Sequence, residues 1–302
     1  MKTCTVIEAG RIGYSAALEL QQQLVAARKR GDAPDVLLLC EHPHVLTLGR
    51  NGKIDNLRVS RDELSQLGVE FHHTTRGGDI TYHGPGQIVG YPILNLGEIR
   101  RDVGWYVRQL EQCMIAASAA FGVAAFRIPG CTGVWALPTA GPGETGSDRT
   151  DDGTGDKAAR WDAGGTCWPP LLTAQKPRLP EQKLGAIGVR LSRWVTSHGF
   201  AYNVTTDLRY FGLIVPCGIS ERGTTSLEAL LGRQVTRAEV APHIVEGFGE
   251  ALGLRMIEGT GAELAGWIGG ASEAAGQDAD RVADRVAGGE ANPAMPVEDN
   301  NR

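Results

Sequence analysis

Arg76-Gly77-Gly78-Asp79-Ile80-Thr81-Tyr82-His83-Gly84-Pro85-Gly86-Gln87 is the run on which the reading of this chain turns. Four glycines and a proline in twelve residues would ordinarily mark a surface loop. Here they alternate with Arg, Thr, Tyr, His and Gln, side chains that bind and orient substrates. Gly77 and Gly78 let backbone approach a ligand closely, because no Cβ intervenes. Ile80-Thr81-Tyr82 reads as a short strand, Gly84-Pro85-Gly86 as a turn, and Ile88-Val89-Gly90-Tyr91-Pro92-Ile93-Leu94 as a mostly apolar strand. The expectation is a glycine-lined platform that holds Arg76 and His83 at its edges; the alternative is a β-hairpin with a glycine-rich turn.

Upstream of the platform, Val69 to Thr74 reads as a strand, and Ser60 with Glu63 forms a capping box for a short helix that Gly68 closes. Asp35 to Cys40 is an unbroken apolar strand, Val45 to Arg50 a second one, and residues 13–30 a helix stopped by Gly31. Glu41-His42-Pro43-His44 between the two strands supplies no complete tetrahedral metal set, and His72 and His73 read as strand residues. Downstream, Asp102 caps a helix over 103–121, whose apolar positions fall at helical spacing. Val123 to Arg127 and Gly133-Val134-Trp135 follow as strands. Residues 138–180 are rich in Gly, Pro, Asp and Thr, and are expected to be a mobile insertion. Lys183 to Leu191 and Trp194 to Val204 read as a hairpin of strands, and Thr236 with Glu239 caps a helix that ends at Gly253. From about 260 to 302 the composition predicts a disordered tail. The whole is an α+β pattern with a mixed sheet in one domain, 1–259.

The 302 residues, 42% hydrophobic and 22% charged, are those of an ordinary globular chain long enough for a sizeable core. A net charge of -5 argues against a general nucleic-acid binder, and no apolar run reaches the length of a membrane span. Residues 1–7 show neither a signal-peptide core nor an Arg-rich transit segment. Cysteines 4, 40, 113, 131, 167 and 217 have no paired spacing, so a cytoplasmic location is expected.

Two residues stand out for chemistry. Cys217, between Pro216 and Gly218, reads as lying on a constrained, uncrowded turn where a substrate could reach its sulfur, although a lone cysteine is more often a small buried hydrophobe. Lys183 opens an otherwise apolar strand, either as an ordinary edge cation or as a group placed at a site. Together they make a coherent pair. An ammonium beside a thiol favours the thiolate, and a desolvated lysine can take protons as a base. Cys167, in Gly164-Gly165-Thr166-Cys167-Trp168, has nothing nearby to activate it.

Six motifs in order resemble the lipoyl(octanoyl) transferases: His42-Pro43 with Thr47 to Arg50, the platform at 76–87, Gly133-Val134-Trp135, Lys183 to Arg190, His198 to Val204, and Pro216-Cys217-Gly218-Ile219. They span about residues 10–258 apart from the insertion. The resemblance implies a biotin/lipoyl protein ligase-like catalytic domain and an acyltransferase with Cys217 and Lys183 as its dyad. It implies substrate contacts at Arg76, Gly77, Gly78, Asp79, Ile80, Thr81, Tyr82 and His83, at Ala186, Ile187 and Gly188, and at Gly199, Phe200 and Ala201. The implied donor is octanoyl-acyl carrier protein. The implied acceptors are lipoyl domains of 2-oxoacid dehydrogenase E2 subunits and the glycine cleavage H protein, with neither ATP nor a metal as cofactor, and neither nucleic acid nor membrane as partner. Arg50, Lys53 and Arg58 are candidates for a face that meets an acidic carrier. Rival readings are an ATP-using lipoate or biotin ligase, a non-catalytic carrier-binding module, and a cysteine hydrolase that pairs its thiol with His83 or His198.

Overall fold

The computed structural model describes residues 1–138, 181–215 and 222–269. In chain order they form β1 (Lys2–Arg11), α1 (Tyr14–Arg30), β2 (Asp35–Glu41), β3 (Val45–Leu48), α2 (Arg61–Gln66), β4 (Glu70–His73), β5 (Ile80–His83), β6 (Gln87–Ile93), α3 (Val103–Ala120), β7 (Ala125–Ile128) and β8 (Cys131–Ala136). Then come β9 (Gln182–Ser192), β10 (Val195–Asn203), α4 (Leu227–Leu231), α5 (Arg237–Leu252), β11 (Leu254–Glu258) and α6 (Gly261–Ile268). The stop and start signals act where the sequence places them. Gly31 ends α1 in the left-handed conformation at φ 90, Asp102 accepts from Trp105 N–H at the head of α3, and both capping boxes are formed.

Eight strands make one mixed sheet in the order β11-β1-β2-β6-β10-β9-β8-β7. β1 runs parallel to both β11 and β2, and the other pairings are antiparallel. Helices cover both faces, so the run after Asp35 is apolar without a break. Leu37 and Leu39 point into the core under α3 and α5. Val36, Leu38 and Cys40 point into the core under α1 and α6. β3 pairs with β4 and β5 in a separate three-stranded sheet with its own small core.

Two expectations need correcting, and two strands were not expected. β5 and β6 belong to different sheets, so the Gly84-Pro85-Gly86 turn carries the chain from one sheet to the other and the hairpin alternative falls. The expected tail boundary lies too early. Thr260 and Glu263 form a third capping box that opens α6, and Leu264 is fully buried among α1 side chains. β1 and β11, unforeseen in the sequence, complete the parallel edge of the large sheet. The expected insertion from residue 139 on, and the tail beyond 269, lie outside the described residues, as does Cys217.

Candidate active site

A cavity of about 300 Å³ opens between the 76–83 stretch and the paired strands β9 and β10, with β6 behind. Glycine makes the approach of these layers possible. The loop is held on one side by Gly77 N–H donating to Val189 O at 2.9 Å, and on the other by Arg50 N–H donating to Arg76 O at 2.9 Å. A Cβ on Gly49 would fall 2.3 Å from Gly78 O, and one on Gly188 would fall 2.8 Å from Arg76 Cδ. The loop is therefore clamped between two positions where a side chain cannot fit.

Arg76 is 7% exposed. Its Nη2 donates to Thr47 O at 2.7 Å and to Thr47 Oγ1 at 2.9 Å, and its Nη1 donates to Gly77 O at 3.0 Å. The guanidinium thus ties the small sheet to the loop and leaves a buried positive charge beside the cavity. Asp79 accepts from the Lys53 backbone N–H at 3.2 Å and from Asn56 Nδ2, which fixes the outer wall.

That buried charge and the dry surroundings keep the nearby histidines neutral. Burial first, then His42, Arg76 and His198, push His83 down to about 3. Burial, with Arg76 and Arg190, pushes His198 down to about 4. Burial likewise takes His42 to about 4; its Nδ1 donates to Ile12 O at 2.7 Å, and its Nε2 accepts from Tyr91 OH at 2.7 Å. His198 sits at φ 54, a left-handed conformation uncommon for a residue with a side chain. Its N–H is held by Gln21 Oε1 at 2.8 Å. These histidines are held uncharged at neutral pH, and His42 and His83 act through side-chain hydrogen bonds.

Lys183 also lines the cavity, near the start of β9. Its Nζ stands 4.7 Å over the Trp135 ring, and Arg222 covers the same ring at 5.4 Å. The Lys183 backbone is pinned to the chain that returns after residue 221: its N–H donates to Gly223 O, and its C=O accepts from Thr225 N–H, both at 2.9 Å. On the preceding side, Val215 N–H donates to Asn56 O at 2.8 Å. The ends of the six-residue run containing Cys217 are thus fastened at two described points, with Phe211 and Thr224 on the cavity wall.

Of the expected site residues, Arg76, 78–81, His83, Lys183, 186–188 and 199–201 all line this one cavity. Gly77 and Tyr82 do not line it. Tyr82 is turned into the small core, where it hydrogen-bonds to His44 at 2.7 Å and stacks on Tyr210. Gln87 lines it as the platform reading anticipates, and Tyr14, Tyr91 and Asn203 line it without having been anticipated. Gln87 opens β6 and Asn203 closes β10, and polar residues at the ends of apolar strands were the available signal. Among the described residues, no cluster of three or more His, Cys, Asp or Glu could hold a metal ion, and no helix is long and apolar enough to cross a membrane.

Comparison with known proteins agrees with this geometry. The model of the lipoyl protein ligase A/B catalytic domain family matches residues 13–249. An octanoyltransferase of Solibacter usitatus is 44% identical over 259 residues, covering 86% of this chain and 97% of that one. An octanoyltransferase of Acidobacterium capsulatum is 47% identical over 230 residues, covering 74% of this chain and 78% of that one. Among solved structures, the bipartite lipoate protein ligase of Thermoplasma acidophilum superposes with a TM-score of 0.58 at 13% identity, over 94% of this chain and 92% of that one. A lipoate-protein ligase A bound with ATP superposes with a TM-score of 0.54 at 13% identity, over 88% of this chain and 92% of that one. At those identities the structures speak for the fold.

Proposed function

Since this chain belongs to the lipoyl protein ligase A/B catalytic domain family, we propose that it is an octanoyltransferase: it moves an octanoyl group from octanoyl-acyl carrier protein to a lysine of a lipoyl domain, through a thioester on Cys217. The observation that carries the reading is the placement of Lys183 on the wall of a cavity that it shares with Ala186, Ile187, Gly188, Gly199, Phe200 and Ala201, with its backbone bonded to residues 223 and 225. Cys217 precedes Gly223 by six positions in the chain, and we assign its sulfur to the same cavity as Lys183.

The chemistry follows in two balanced steps. The Cys217 thiolate attacks the donor thioester carbonyl; the C–S bond to the carrier breaks, and the departing thiolate takes a proton from the Lys183 ammonium. One thioester replaces another at little free-energy cost, so no ATP is consumed. The acceptor amine then attacks the acyl-cysteine and gives a proton to the now neutral Lys183, and the Cys217 thiolate leaves as the amide forms. Backbone N–H groups near Ile187 and Gly188 are candidates to stabilise the tetrahedral oxyanion. The acceptors are lipoyl domains of 2-oxoacid dehydrogenase E2 subunits and of the glycine cleavage H protein, and the setting is the cytoplasm.

The test is transfer from octanoyl-carrier protein to a lipoyl domain with neither ATP nor added metal, for wild type and Lys183→Ala. Transfer by wild type and its loss in the variant support the reading. Modification only when ATP and free acid are supplied would make the protein a ligase instead.

A further inference from the structure

A buried polar relay joins His83 to the backbone of Lys183, and a carbonyl at one end fixes its polarity. Asn203 Nδ2 donates to Thr225 O at 2.9 Å. A carbonyl only accepts, so Asn203 turns Oδ1 toward Gln87, where it accepts from Nε2 at 2.8 Å. Gln87 is left with Oε1 facing His83 Nδ1 at 2.8 Å, and that nitrogen must therefore carry the proton. Beyond Thr225, its N–H donates to Lys183 O at 2.9 Å. His83, Gln87 and Asn203 are 7, 1 and 4% exposed. Gln87 and Asn203 sit directly opposite each other in the β6–β10 register. Turning either amide round would set donor against donor or acceptor against acceptor where no water can compensate.

Two buried amides are more than an imidazole needs if its ring only fills space, since an apolar side chain would require no partners. We propose that Gln87 and Asn203 are positioning residues that hold His83 as its Nδ1–H tautomer, so that Nε2, on a ring lining the cavity, accepts a hydrogen bond from the acceptor lysine amine and aims its lone pair at the acyl carbonyl. The inference rests on the acyl-transfer reading above. It divides the labour in the second step: His83 orients the amine and stays neutral, while Lys183 takes the proton. The groups facing the His83 ring agree with a neutral acceptor. Tyr14 stacks at 6.4 Å, His42 meets the ring edge-on at 5.9 Å, and Arg76 adds positive field.

The test uses the full chain. In ¹⁵N-histidine spectra of wild type, His83 should show its proton on Nδ1; a proton on Nε2, or an imidazolium at pH 7, would overturn the proposal without any variant. In single-turnover experiments, loading from octanoyl-carrier protein and transfer to a lipoyl domain are timed separately. Gln87→Glu sets a carboxylate against Nδ1 and favours the imidazolium. Transfer at pH 7 should slow about tenfold or more relative to loading, with the deficit shrinking as pH rises. Asn203→Asp, unable to donate to Thr225 O, should slow transfer more than loading as well. Equal slowing of both steps at every pH, or no slowing of transfer, would overturn the inference while leaving the acyl-transfer reading intact. A wild type that never loads would overturn both.

Discussion

Lowering the pH from 7 to 5 should destabilise this fold by several kcal/mol before its carboxylates matter. His42 and His198 are held near 4 and His83 near 3, chiefly by burial, whereas in the unfolded chain each titrates near 6.5. Between those values the unfolded state binds protons that the folded state refuses. Stability is therefore complete above about 6.5 and falls as the pH drops toward the folded values. At pH 5 each histidine accounts for about 2 kcal/mol, and the three together for about 6 kcal/mol. That is a large part of the roughly 5–15 kcal/mol that stabilises a whole domain. Carboxylates held low, such as Glu98 by Lys2 and Arg28, act in the same direction but lose their contribution mainly below their ordinary value of 4.5. Urea unfolding followed by tryptophan fluorescence at pH 7, 6 and 5 gives the slope of stability against pH. Uptake of about three protons on unfolding corresponds to about 4 kcal/mol per pH unit in the middle of the window. A slope of less than one proton would refute the reasoning, because it would require these histidines to titrate normally inside the fold.

Other substitutions test the walls of the site. Arg76→Lys loses the forked contact with Thr47 O and Oγ1; it should cost about 2 kcal/mol in urea unfolding and raise KM for the acyl donor. Gly49→Ala places a Cβ 2.3 Å from the Gly78 carbonyl, a backbone atom that cannot swing aside, so its Tm should fall and the loop at 76–79 should lose hydrogen-exchange protection. Thr260→Ala removes the side-chain half of the capping box on α6, the Oγ1 that accepts from Glu263 N–H, and should cost about 1 kcal/mol with little effect on kcat, measured by thermal unfolding and transfer assay.

Much of this architecture was legible in the chain. Glycines 31 and 253, the boxes at Ser60 and Thr236, and the run after Asp35 each act through local chemistry, and local chemistry is what a sequence displays. What escaped depends on distant partners. β11 is five residues long and is a strand because β1 lies beside it in register, Lys2 against Leu254. The segment after 259 is rich in alanine and glycine and reads as a tail, yet Thr260 and Glu263 repeat the box read elsewhere, and Leu264 finds a core made by α1. Tyr82 sits within a motif rich in binding groups, but strand alternation turns it to the small core while Thr81 and His83 reach the cavity. The pairing of Gln87 with Asn203 joins residues 116 apart, a contact that only the strand register creates.

The central claim, acyl transfer through a covalent cysteine thioester, is tested most directly by intact-protein mass. Wild type and Cys217→Ala are each mixed with octanoyl-carrier protein in the absence of ATP. The account predicts one octanoyl adduct on wild type alone, discharged by hydroxylamine or by a lipoyl domain. An adduct on both proteins, or none on wild type while a lipoyl domain is still octanoylated, would contradict it.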